Sequence, residues 1–379
     1  MQVCESQYKS GASYTTEPVV KARGTSPPEL MALNKIRNVT SNGTALNSTE
    51  LESVAEEITQ DINSIYTPIL VVIGTLGNLI SLFVFYATKL HLQSTSQYLS
   101  ALAICDTLFL LQLIPPWLNT MQYTNMFTRQ GPCQLFVYIS YVTSSQSTWL
   151  VVAFTVERYI AVSRPLQRNV LCTMSRSRYV ITGILIMGFV VNIPLLRYAI
   201  SKSNECSVDY HYMIPAARFN VVDTALAFTV PLIIIVILNS CIMHRVWKMN
   251  RQQRAEEETS QHIRLRTARN NNQYRVTRML LFVSSVFVIL NLPAYVMRMI
   301  SYAYNLVNSG KWGAFQQITL MFFNTNYGIN FILYCLSGQN FRRALIQCIP
   351  WLRRTERRRM TDRMAPTSQP GRASSISSE

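Results

Sequence analysis

Long stretches without a single charged side chain are the feature that most restricts how this chain of 379 residues can fold. A helix needs about 20 apolar residues to cross the ~30 Å hydrocarbon layer of a membrane. Six windows of about that length contain no Asp, Glu, Lys or Arg, and a seventh contains one acid, Asp106. Helices buried in a soluble protein are rarely so long and so uniformly uncharged. We therefore predict an all-α membrane protein, a bundle of seven transmembrane helices.

These windows set the limits of the predicted spans. In chain order the spans run over Ser64–Ala87, Gln97–Met121, Pro132–Val162, Arg178–Tyr198, Arg218–Met249, Gln273–Tyr304 and Trp312–Leu336. Pro115 and Pro116 should kink span two near one end, because a proline removes a backbone donor and crowds the preceding turn. Beyond span seven, Gln339–Gln347 has the pattern of a short amphipathic helix on the membrane surface. The chain thus divides into a tail (1–63), a seven-span domain (64–338), a surface helix (339–349) and a second tail (350–379).

Positive charge is distributed unevenly around these spans. Most Lys and Arg residues fall in the loops after spans one, three and five and in the C-terminal tail. Because cytoplasmic segments retain positive charge, we expect a multi-pass plasma-membrane protein with its N-terminus outside and its C-terminus in the cytoplasm. The net charge of +16 then reflects topology and attraction to anionic membrane lipid, and not the binding of nucleic acid.

Three N-glycosylation motifs, at Asn38, Asn42 and Asn47, stand close together in the N-terminal tail. Their position on the side predicted to be extracellular agrees with that orientation. The tail has few apolar residues and no periodicity, so we expect a disordered, glycosylated segment. The polar, Ser-rich end of the chain should also be disordered.

Polar side chains within the predicted spans are costly in lipid unless they are paired, so each is a candidate functional residue. Asp106 in span two is the clearest. Four polar residues could converge on it at mid-membrane: Asn78, Ser147, Asn326 and Asn330. The cluster either holds the helices together by hydrogen bonds or binds a structural Na⁺ through carboxylate, hydroxyl and amide oxygens. We expect no other cofactor.

No motif in the chain indicates an enzyme. There is no P-loop and no Gly-x-Ser-x-Gly turn, and the four His residues lack the spacing of metal ligands. A transporter is disfavoured because the sequence shows no internal repeat. A light-driven pump would need a Lys in span seven, where Trp312–Leu336 has none.

Several short motifs occur together along the spans. They are Gly77-Asn78 in span one, Leu102-Ala103-x-x-Asp106 in span two, Glu157-Arg158-Tyr159 in span three, Pro231 in span five, Phe287 with Pro293 in span six, and Asn330-x-x-x-Tyr334 in span seven. In this combination the chain closely resembles the rhodopsin-like (class A) G-protein-coupled receptors, from about Ser64 to Cys348. The resemblance implies a receptor that transmits the binding of an extracellular ligand to a cytoplasmic heterotrimeric G protein.

The resemblance also implies roles for individual residues. A disulfide should join Cys133 and Cys206, which both lie in segments predicted to be extracellular, an oxidising setting. Arg158 should contact the G protein in the active receptor, and Leu166 should insert into the surface of that partner. Outward movement of span six about Pro293 would open the groove that the G protein enters.

Two further sites of modification are expected near the C-terminus. Cys348, at the end of the surface helix, is a candidate for palmitoylation, with an unmodified Cys as the alternative. The Ser and Thr residues of the last stretch predict phosphorylation by a receptor kinase and recruitment of arrestin, with simple disorder as the alternative.

Several positions depart from the usual pattern of the family. Asn291 stands where span six usually has a Trp, and Phe331 where span seven usually has a Pro. Asn239 stands where span five usually has a Tyr, and the acid that often locks the inner end of span six to Arg158 is missing. We predict that Asn291, which should lie close to the Asp106 cluster, acts in the switch through hydrogen bonds and that the missing lock raises basal activity. The predicted switch consists of Phe287, Asn291, Pro293 and Tyr334.

The outer parts of the spans disfavour two classes of ligand. Amine receptors of this family have an Asp where this chain has Ser140, and opsins have a Lys in span seven, where Asn324 lies near the expected place. A mixture of charged, amide and aromatic residues remains as the predicted ligand site: Gln112, Trp117, Ser140, Tyr141, Asp223, Tyr295, Arg298 and Asn324. Asp223 and Arg298 either pair with each other or each meet a complementary group of a peptide.

This mixture of side chains favours a neuropeptide as the extracellular ligand. The variants Leu290-Asn291-Leu292-Pro293 and Asn330-Phe331-x-x-Tyr334 look like those of invertebrate FMRFamide and myosuppressin receptors. If the ligand carries an Arg near an amidated C-terminus, Asp223 is its expected partner. The alternatives are a receptor for a non-peptide small molecule or lipid and, less favoured, a seven-span transporter.

Overall fold

The computed structural model describes residues 48–164, 167–202, 205–257, 264–303 and 311–348. Within these ranges the chain is helical over each predicted span. Span one is Ser48–Ala87; span two is Ser94–Leu111 followed by Ile114–Thr120; span three is Pro132–Ser163; span four is Met174–Asn192 followed by Leu195–Tyr198; span five is Met213–Thr224, a π-helical turn Ala225–Thr229 and Val230–Glu257; span six is Arg264–Ala303; span seven is Lys311–Gly328 followed by Asn330–Ser337. Shorter helices cover Lys89–Leu92, Arg168–Leu171, Tyr210–Tyr212 and Gln339–Cys348. The prediction of a helical seven-span bundle is confirmed.

The apolar character of the spans differs with their place in the bundle. Five of the described helices are long and apolar enough to cross a membrane, judged by length and composition: Val54–Ala87, Ser94–Thr120, Met174–Tyr198, Tyr210–Met249 and Thr277–Ser301. Span three falls below that level because it contains many polar side chains, and these are buried in the bundle. The most enclosed, at most 3% exposed, are Thr143, Gln146, Ser147, Thr148 and Thr155. A helix surrounded by other helices needs less apolar surface than one that faces lipid.

Span one begins earlier than the sequence indicates. Its helix starts at Ser48, so residues 48–63, predicted to belong to the disordered tail, are helical. The extension packs against the start of span seven, where a Cβ atom at Gly313 would lie 2.8 Å from Oε1 of Glu56. Thr59 in the same extension is buried. Packing against another helix stabilises this segment, whose polar composition alone predicts no order.

The helix of span two is interrupted close to its two prolines. It stops at Leu111 and resumes at Ile114, with Pro115 and Pro116 in the first turn of the new segment. Proline suits this place because the first N–H groups of a helix have no helical acceptor. The interruption agrees with the predicted kink.

Spans one and seven approach each other closely at two glycines. A Cβ atom at Gly74 would lie 2.8 Å from the Cα of Gly328, and a Cβ atom at Gly77 would lie 2.9 Å from the Cβ of Phe331. Only glycine leaves room for such an approach. Phe331, which replaces the usual proline of the family, therefore packs directly onto the backbone of span one.

A β-hairpin covers one end of the bundle. Strand β1 (Ala199–Lys202) pairs antiparallel with strand β2 (Glu205–Val208). The register places Ala199 opposite Val208, Ile200 opposite Ser207, Ser201 opposite Cys206 and Lys202 opposite Glu205. A disulfide joins Cys206 to Cys133 at the start of span three, with the Cα atoms 5.6 Å apart. The predicted pairing is confirmed. We call this the disulfide end of the bundle and the opposite end, where Arg158 lies, the arginine end.

A core of buried apolar side chains fills the half of the bundle nearer the arginine end. Its most enclosed members, at most 2% exposed, include Leu102, Leu150, Phe154, Ile235 and Val283. The surface helix Gln339–Cys348 docks on this core through Phe341, whose ring centroid lies 5.4 Å from that of Phe85 and 5.5 Å from that of Tyr334. The apolar face predicted for this helix therefore packs against the core of the bundle.

Candidate functional site

A cavity opens at the disulfide end of the bundle. It holds about 1020 Å³ of empty space, its open mouth included. All the residues predicted to bind the ligand line it: Gln112, Trp117, Ser140, Tyr141, Asp223, Tyr295, Arg298 and Asn324. The structure thus brings these residues together, whereas their contact with a ligand stays a prediction.

Other residues of the wall were missed by the sequence analysis, among them Asn63, Thr67, Phe109, Phe127, Phe136, Ser144 and Phe323. Helical spacing could have revealed some of them. Phe136 and Ser144 each stand four residues from Ser140 and therefore share its helix face. Asn63 could not be found in this way, because the sequence placed it in the disordered tail.

Asp223 of span five and Arg298 of span six pair inside this cavity. Nη2 of Arg298 lies 3.2 Å from Oδ2 of Asp223, and both side chains are 9% exposed. Arg298 also donates to the backbone oxygen of Asn220 at 3.3 Å and to its side-chain oxygen. The guanidinium carbon lies 5.9 Å from the ring centroid of Tyr141. Of the two alternatives that the sequence left open, the structure shows the internal pair.

A π-helical turn, Ala225–Thr229, lies in span five just after Asp223. Such a turn inserts wider backbone hydrogen bonds into an α-helix and often occurs at functional sites. Both Asp223 and Ala227 line the cavity, on either side of the point where the turn begins. No residue pattern marks the turn, so it could not be predicted from the sequence.

Stacked aromatic rings form and support one side of the cavity. The rings of Phe109 and Tyr327 are stacked with centroids 3.6 Å apart, and those of Phe228 and Tyr295 with centroids 3.7 Å apart. Phe323 meets Tyr295 and Tyr327 edge to face, at 6.0 and 5.4 Å. Aromatic pairs add about 0.5–1.5 kcal/mol each beyond the burial of area. This side of the cavity is therefore preformed.

Hydrogen bonds tie span one to its neighbours beside the cavity. The indole Nε1 of Trp117 donates to the backbone oxygen of Ser64 at 2.8 Å. The hydroxyl of Tyr66 donates to the backbone oxygen of Met321 in span seven at 2.7 Å. Trp117 thus presents its ring to the cavity while its donor holds spans one and two together.

Asp106 lies fully buried in the interior, and two of its predicted partners contact it. Oγ of Ser147 donates to Oδ1 of Asp106 at 2.7 Å, and Nδ2 of Asn330 donates to Oδ2 at 2.6 Å. Asn78 instead donates through Nδ2 to the backbone oxygen of Tyr327 at 2.9 Å. The bonds of Asp106 connect span two with spans three and seven. The bond of Asn78 connects span one with span seven.

The donor set around Asp106 also fits a hard monovalent cation. Asp106 supplies carboxylate oxygens and Ser147 a hydroxyl, the kinds of ligand that hard cations take. Oδ1 of Asn78 is buried without a hydrogen-bond partner among the described residues, and an orphaned amide oxygen is a group that an ion or water satisfies. Asn326, the fourth predicted member, is buried at 5% exposure.

Asn291, the residue that replaces the usual Trp of span six, forms a hydrogen bond within its own helix. Its Nδ2 donates to the backbone oxygen of Phe287 at 2.7 Å, and the residue is 1% exposed. Pro293 follows two residues later inside the same continuous helix. The structure thus gives the amide of Asn291 an intrahelical partner, and its action in the switch through hydrogen bonds stays a prediction. Tyr334, the fourth residue of the predicted switch, is buried against Phe85 at the arginine end.

Arg158 belongs to a buried network at the arginine end. Its Nη2 donates to Oε1 of Glu157 at 2.9 Å. The same oxygen accepts hydrogen bonds from the hydroxyls of Ser94 at 2.8 Å and Thr95 at 2.9 Å, at the start of span two. Nε of Arg158 is buried and has no hydrogen-bond partner in the described part of the chain. Ser94 and Thr95 were not predicted, since hydroxyl residues at a helix start are common.

A polar contact joins spans five and six on the arginine side of Pro293. Nδ2 of Asn239 donates to Oγ of Ser284 at 2.8 Å, and Oγ of Ser284 donates to the backbone oxygen of Leu280 at 2.9 Å. The sequence of span six, Arg264–Ala303, contains no Asp or Glu. An ion pair between span six and an arginine of span three is therefore impossible, and the amide–hydroxyl bond links span six to span five instead.

Of the remaining predicted sites, Cys348 lies among the described residues and the others lie outside them. Cys348 is a free thiol, partly buried against the core that holds the surface helix. Leu166 and the glycosylation motifs at Asn38, Asn42 and Asn47 lie outside the described residues. Their modification or contacts stay predictions.

Comparison with known proteins agrees with this arrangement. The family model described as 7 transmembrane receptor (rhodopsin family) matches residues 77–334. The chain is 26% identical over 336 residues to the Thyrotropin-releasing hormone receptor of Bos taurus, which covers 80% of this chain and 82% of that protein. It is 26% identical over 357 residues to Neurotensin receptor type 1 of Homo sapiens, covering 82% and 84%. It is 23% identical over 321 residues to Rhodopsin, GQ-coupled of Mizuhopecten yessoensis, covering 81% and 63%.

The family match begins in span one and ends at Tyr334 in span seven, so it includes the Asp106 cluster, the Arg158 network and all of the cavity wall except Asn63 and Thr67. It covers well over half of the chain. This chain therefore belongs to the rhodopsin family of seven-transmembrane receptors, the class A G-protein-coupled receptors, which are membrane receptors and not enzymes.

Proposed function

We propose that this receptor binds a peptide in the cavity at the disulfide end and activates a heterotrimeric G protein at the arginine end. The observation that carries the proposal is the cavity itself, which is wide, open and lined by aromatic, amide and charged side chains. Ligand sites combine apolar walls with a few placed polar groups in this way. The relatives named as receptors for thyrotropin-releasing hormone and neurotensin support a peptide in particular.

Span six is the proposed carrier of the signal. It is a continuous helix that holds Arg298 in the cavity and Ser284 on the arginine side of Pro293. A ligand that binds more tightly when span six has moved shifts the population toward that state. We expect the movement to open a groove beside Arg158, whose Nε has no partner in the described structure. Leu166 is proposed to contact the same G protein.

The proposed orientation places the disulfide end outside the cell and the arginine end in the cytoplasm. The C-terminal tail would then meet receptor kinase and arrestin, and the surface helix would lie on inner-leaflet lipid with Cys348 as a palmitoylation site. N-glycans on Asn38, Asn42 and Asn47 would be extracellular. The neuropeptide type, like that of the invertebrate FMRFamide and myosuppressin receptors, is proposed on the motifs of spans six and seven.

We also propose that a Na⁺ ion binds at Asp106 in the inactive receptor. Asp106 and Ser147 would hold it, with the orphaned amide oxygen of Asn78 as a further ligand. The ion would supply a positive charge that stabilises the buried carboxylate. The hydrogen bonds from Ser147 and Asn330 give that carboxylate partners when the ion is absent.

A functional screen tests the proposed function. Cells that express the full-length chain are exposed to a peptide library, and calcium and cAMP are recorded. We expect at least one peptide to evoke a signal that is absent from untransfected cells. A response to lipids or small organic molecules alone would favour the non-peptide alternative, and substrate flux without a second-messenger change would favour a transporter.

The variant Arg158→Ala tests the role assigned to the arginine end. Its response to an active peptide should fall to background while binding of that peptide at the surface persists, because Arg158 touches the G protein and not the ligand. The matched control is Arg176→Ala, which removes an exposed Arg at the same end. Intact coupling of Arg158→Ala would show that the assignment is wrong.

A further inference from the structure

The helix of span seven is interrupted although the span contains no proline. It stops at Gly328 and a new helix begins at Asn330, so the regular ladder of hydrogen bonds is broken at Ile329. The sequence from 311 to 337 has no Pro. A sharp irregularity in a helix has a local cause, such as a proline or a side chain that inserts into the ladder. Without a proline, span seven needs a cause of the second kind.

The carbonyl of Tyr327 identifies that cause. A proline removes the N–H that would bond to the carbonyl four residues earlier, so a proline at position 331 would free the carbonyl of residue 327. Phe331 retains its N–H, and a bond from it to that carbonyl would continue the helix. Nδ2 of Asn78 in span one donates to the same oxygen at 2.9 Å, and Asn78 is 1% exposed. A side chain of a neighbouring helix thus binds the acceptor that a proline would have released.

Close packing of spans one and seven lets so short a side chain reach the backbone. Gly74 lies against Gly328, and Gly77 lies against Phe331. A Cβ atom at Gly77 would stand 2.9 Å from the Cβ of Phe331, closer than side chains tolerate. The two glycines of span one therefore allow the approach that brings the amide of Asn78 to the carbonyl.

The interruption separates two anchored parts of span seven. Before it, the hydroxyl of Tyr327 donates to Oγ of Ser144, which lines the cavity. After it, Nδ2 of Asn330 donates to Oδ2 of Asp106 at 2.6 Å. Tyr334 follows one turn further toward the arginine end. The geometry at the interruption therefore sets how the cavity part of span seven is oriented relative to the part that carries Tyr334.

We propose that Asn78 stands in for the missing proline, as the positioning residue that keeps span seven interrupted between its two anchored parts. Loss of its amide lets the N–H of Phe331 take the carbonyl of Tyr327, and span seven closes toward one continuous helix. Asn330 and Tyr334 then turn away from their partners. Span one is thereby part of the switch, and this role in signalling rests on the proposed function.

Two substitutions at one position test this assignment in the ligand-free receptor. Phe331→Pro and Phe331→Ala both remove the ring, and only the proline also removes the N–H. Each is made in the full-length wild type and in Asn78→Leu, which removes the amide and keeps the size of the side chain. Thermal unfolding of the detergent-solubilised receptor compares the four chains.

The wild-type background gives the baseline difference between proline and alanine at position 331. In the Asn78→Leu background the proline variant should gain about 2 °C or more over the alanine variant, relative to that baseline. The proline preserves the interruption that both anchors require, and the alanine lets the helix close. If span seven were indifferent to Asn78, the two backgrounds would give the same difference.

Thr75→Val is the matched control on span one. Its hydroxyl oxygen is buried about one turn before Asn78 and has no hydrogen-bond partner in the described part of the chain. With Thr75→Val the difference between proline and alanine at position 331 should stay at the wild-type value.

The same variants test the role in signalling. The potency of an active peptide on Asn78→Leu should fall about tenfold at equal surface expression, a factor that the loss of one buried hydrogen bond produces. Adding Phe331→Pro should restore most of this potency, and adding Phe331→Ala should not. Asn78→Leu also removes the amide oxygen proposed to bind Na⁺. Both double variants lack that oxygen equally, so the difference between them reports on the interruption.

The outcomes separate this inference from the proposed function. No additional gain from proline in the Asn78→Leu background overturns the inference, whatever the response to peptides. Silence of the wild type toward every peptide overturns the proposed function, and the unfolding comparison still decides the inference. Restored stability without restored potency overturns the role of Asn78 in the switch. If the Asn78→Leu chains do not survive solubilisation, their levels at the cell surface give the same comparison.

Discussion

The two buried arginine–carboxylate pairs in the described part of this receptor are built in opposite ways. Arg298 and Asp223 stand 75 residues apart and join span six to span five, at 3.2 Å. Arg158 and Glu157 are neighbours on span three, at 2.9 Å. In the first pair the arginine has a further hydrogen-bond partner, Asn220. In the second pair the carboxylate has further partners, the hydroxyls of Ser94 and Thr95.

This difference separates a tie between helices from a local pair. A ligand that disturbs Asp223 and Arg298 changes how spans five and six are held together. The bond between Arg158 and Glu157 lies within span three, so it does not join two spans. In the described structure Nε of Arg158 has no hydrogen-bond partner. Under the proposed function, the pair at the disulfide end would receive the signal and the pair at the arginine end would give up its arginine to a partner protein.

The largest expected effect is on stability, when each arginine is replaced by an apolar residue. Arg298→Leu leaves Asp223 buried without a cation and should lower the free energy of unfolding by about 3 kcal/mol. Arg158→Leu should cost less, because two hydroxyls still donate to Glu157. Thermal unfolding of the detergent-solubilised receptor measures both. Equal losses, or a larger loss for Arg158→Leu, would contradict the comparison.

A smaller effect is expected from the hydroxyls that hold Glu157. Ser94→Ala or Thr95→Val removes one hydrogen bond to a charged group, a loss of about 1.5 kcal/mol in the same unfolding assay. When both substitutions are added to Arg158→Leu, Glu157 loses all three donors seen here. The total loss should then reach or exceed that of Arg298→Leu. If the hydroxyl variants unfolded like the wild type, the bonds from span two would not stabilise Glu157.

The smallest expected effect concerns the link between spans five and six on the arginine side. Asn239→Ala removes the hydrogen bond to Ser284. We expect this bond to exist only in the inactive arrangement and to contribute about 1 kcal/mol. Its loss should therefore raise ligand-free signalling roughly fivefold at equal surface expression. Ser240→Ala is the matched control, because in the described structure that exposed side chain donates to the backbone oxygen of Val236 in its own helix. Basal signalling that stays at the wild-type level in Asn239→Ala would remove this link from the switch.

The sequence predicted much of the cavity because its residues follow helix periodicity and membrane depth. Gln112, Tyr141 and Arg298 could be placed near one end of their spans from position alone, and the structure brings them to one cavity. Asn63 was missed because the helix of span one extends beyond its apolar stretch and is stabilised by packing against span seven. The π-helical turn was missed because no local residue pattern requires it.

The partners of polar residues were harder to predict than their positions. Asp106 was expected to attract four residues, and two of them bond to it. Asn291 was expected near that cluster, and its amide bonds to its own helix at Phe287. Several acceptors lie within reach of a buried amide, and small rotations of a helix decide which one it meets.

By itself the sequence determined the seven helical spans and the class of receptor, because charge-free windows and short motifs are local features set by the thickness of a membrane. Through the resemblance it also determined the disulfide between Cys133 and Cys206. Only the tertiary structure decided that Asp223 faces Arg298 and that Ser94 and Thr95 support Glu157. These contacts depend on which faces of distant helices meet, and residues so far apart in the chain carry no local record of it.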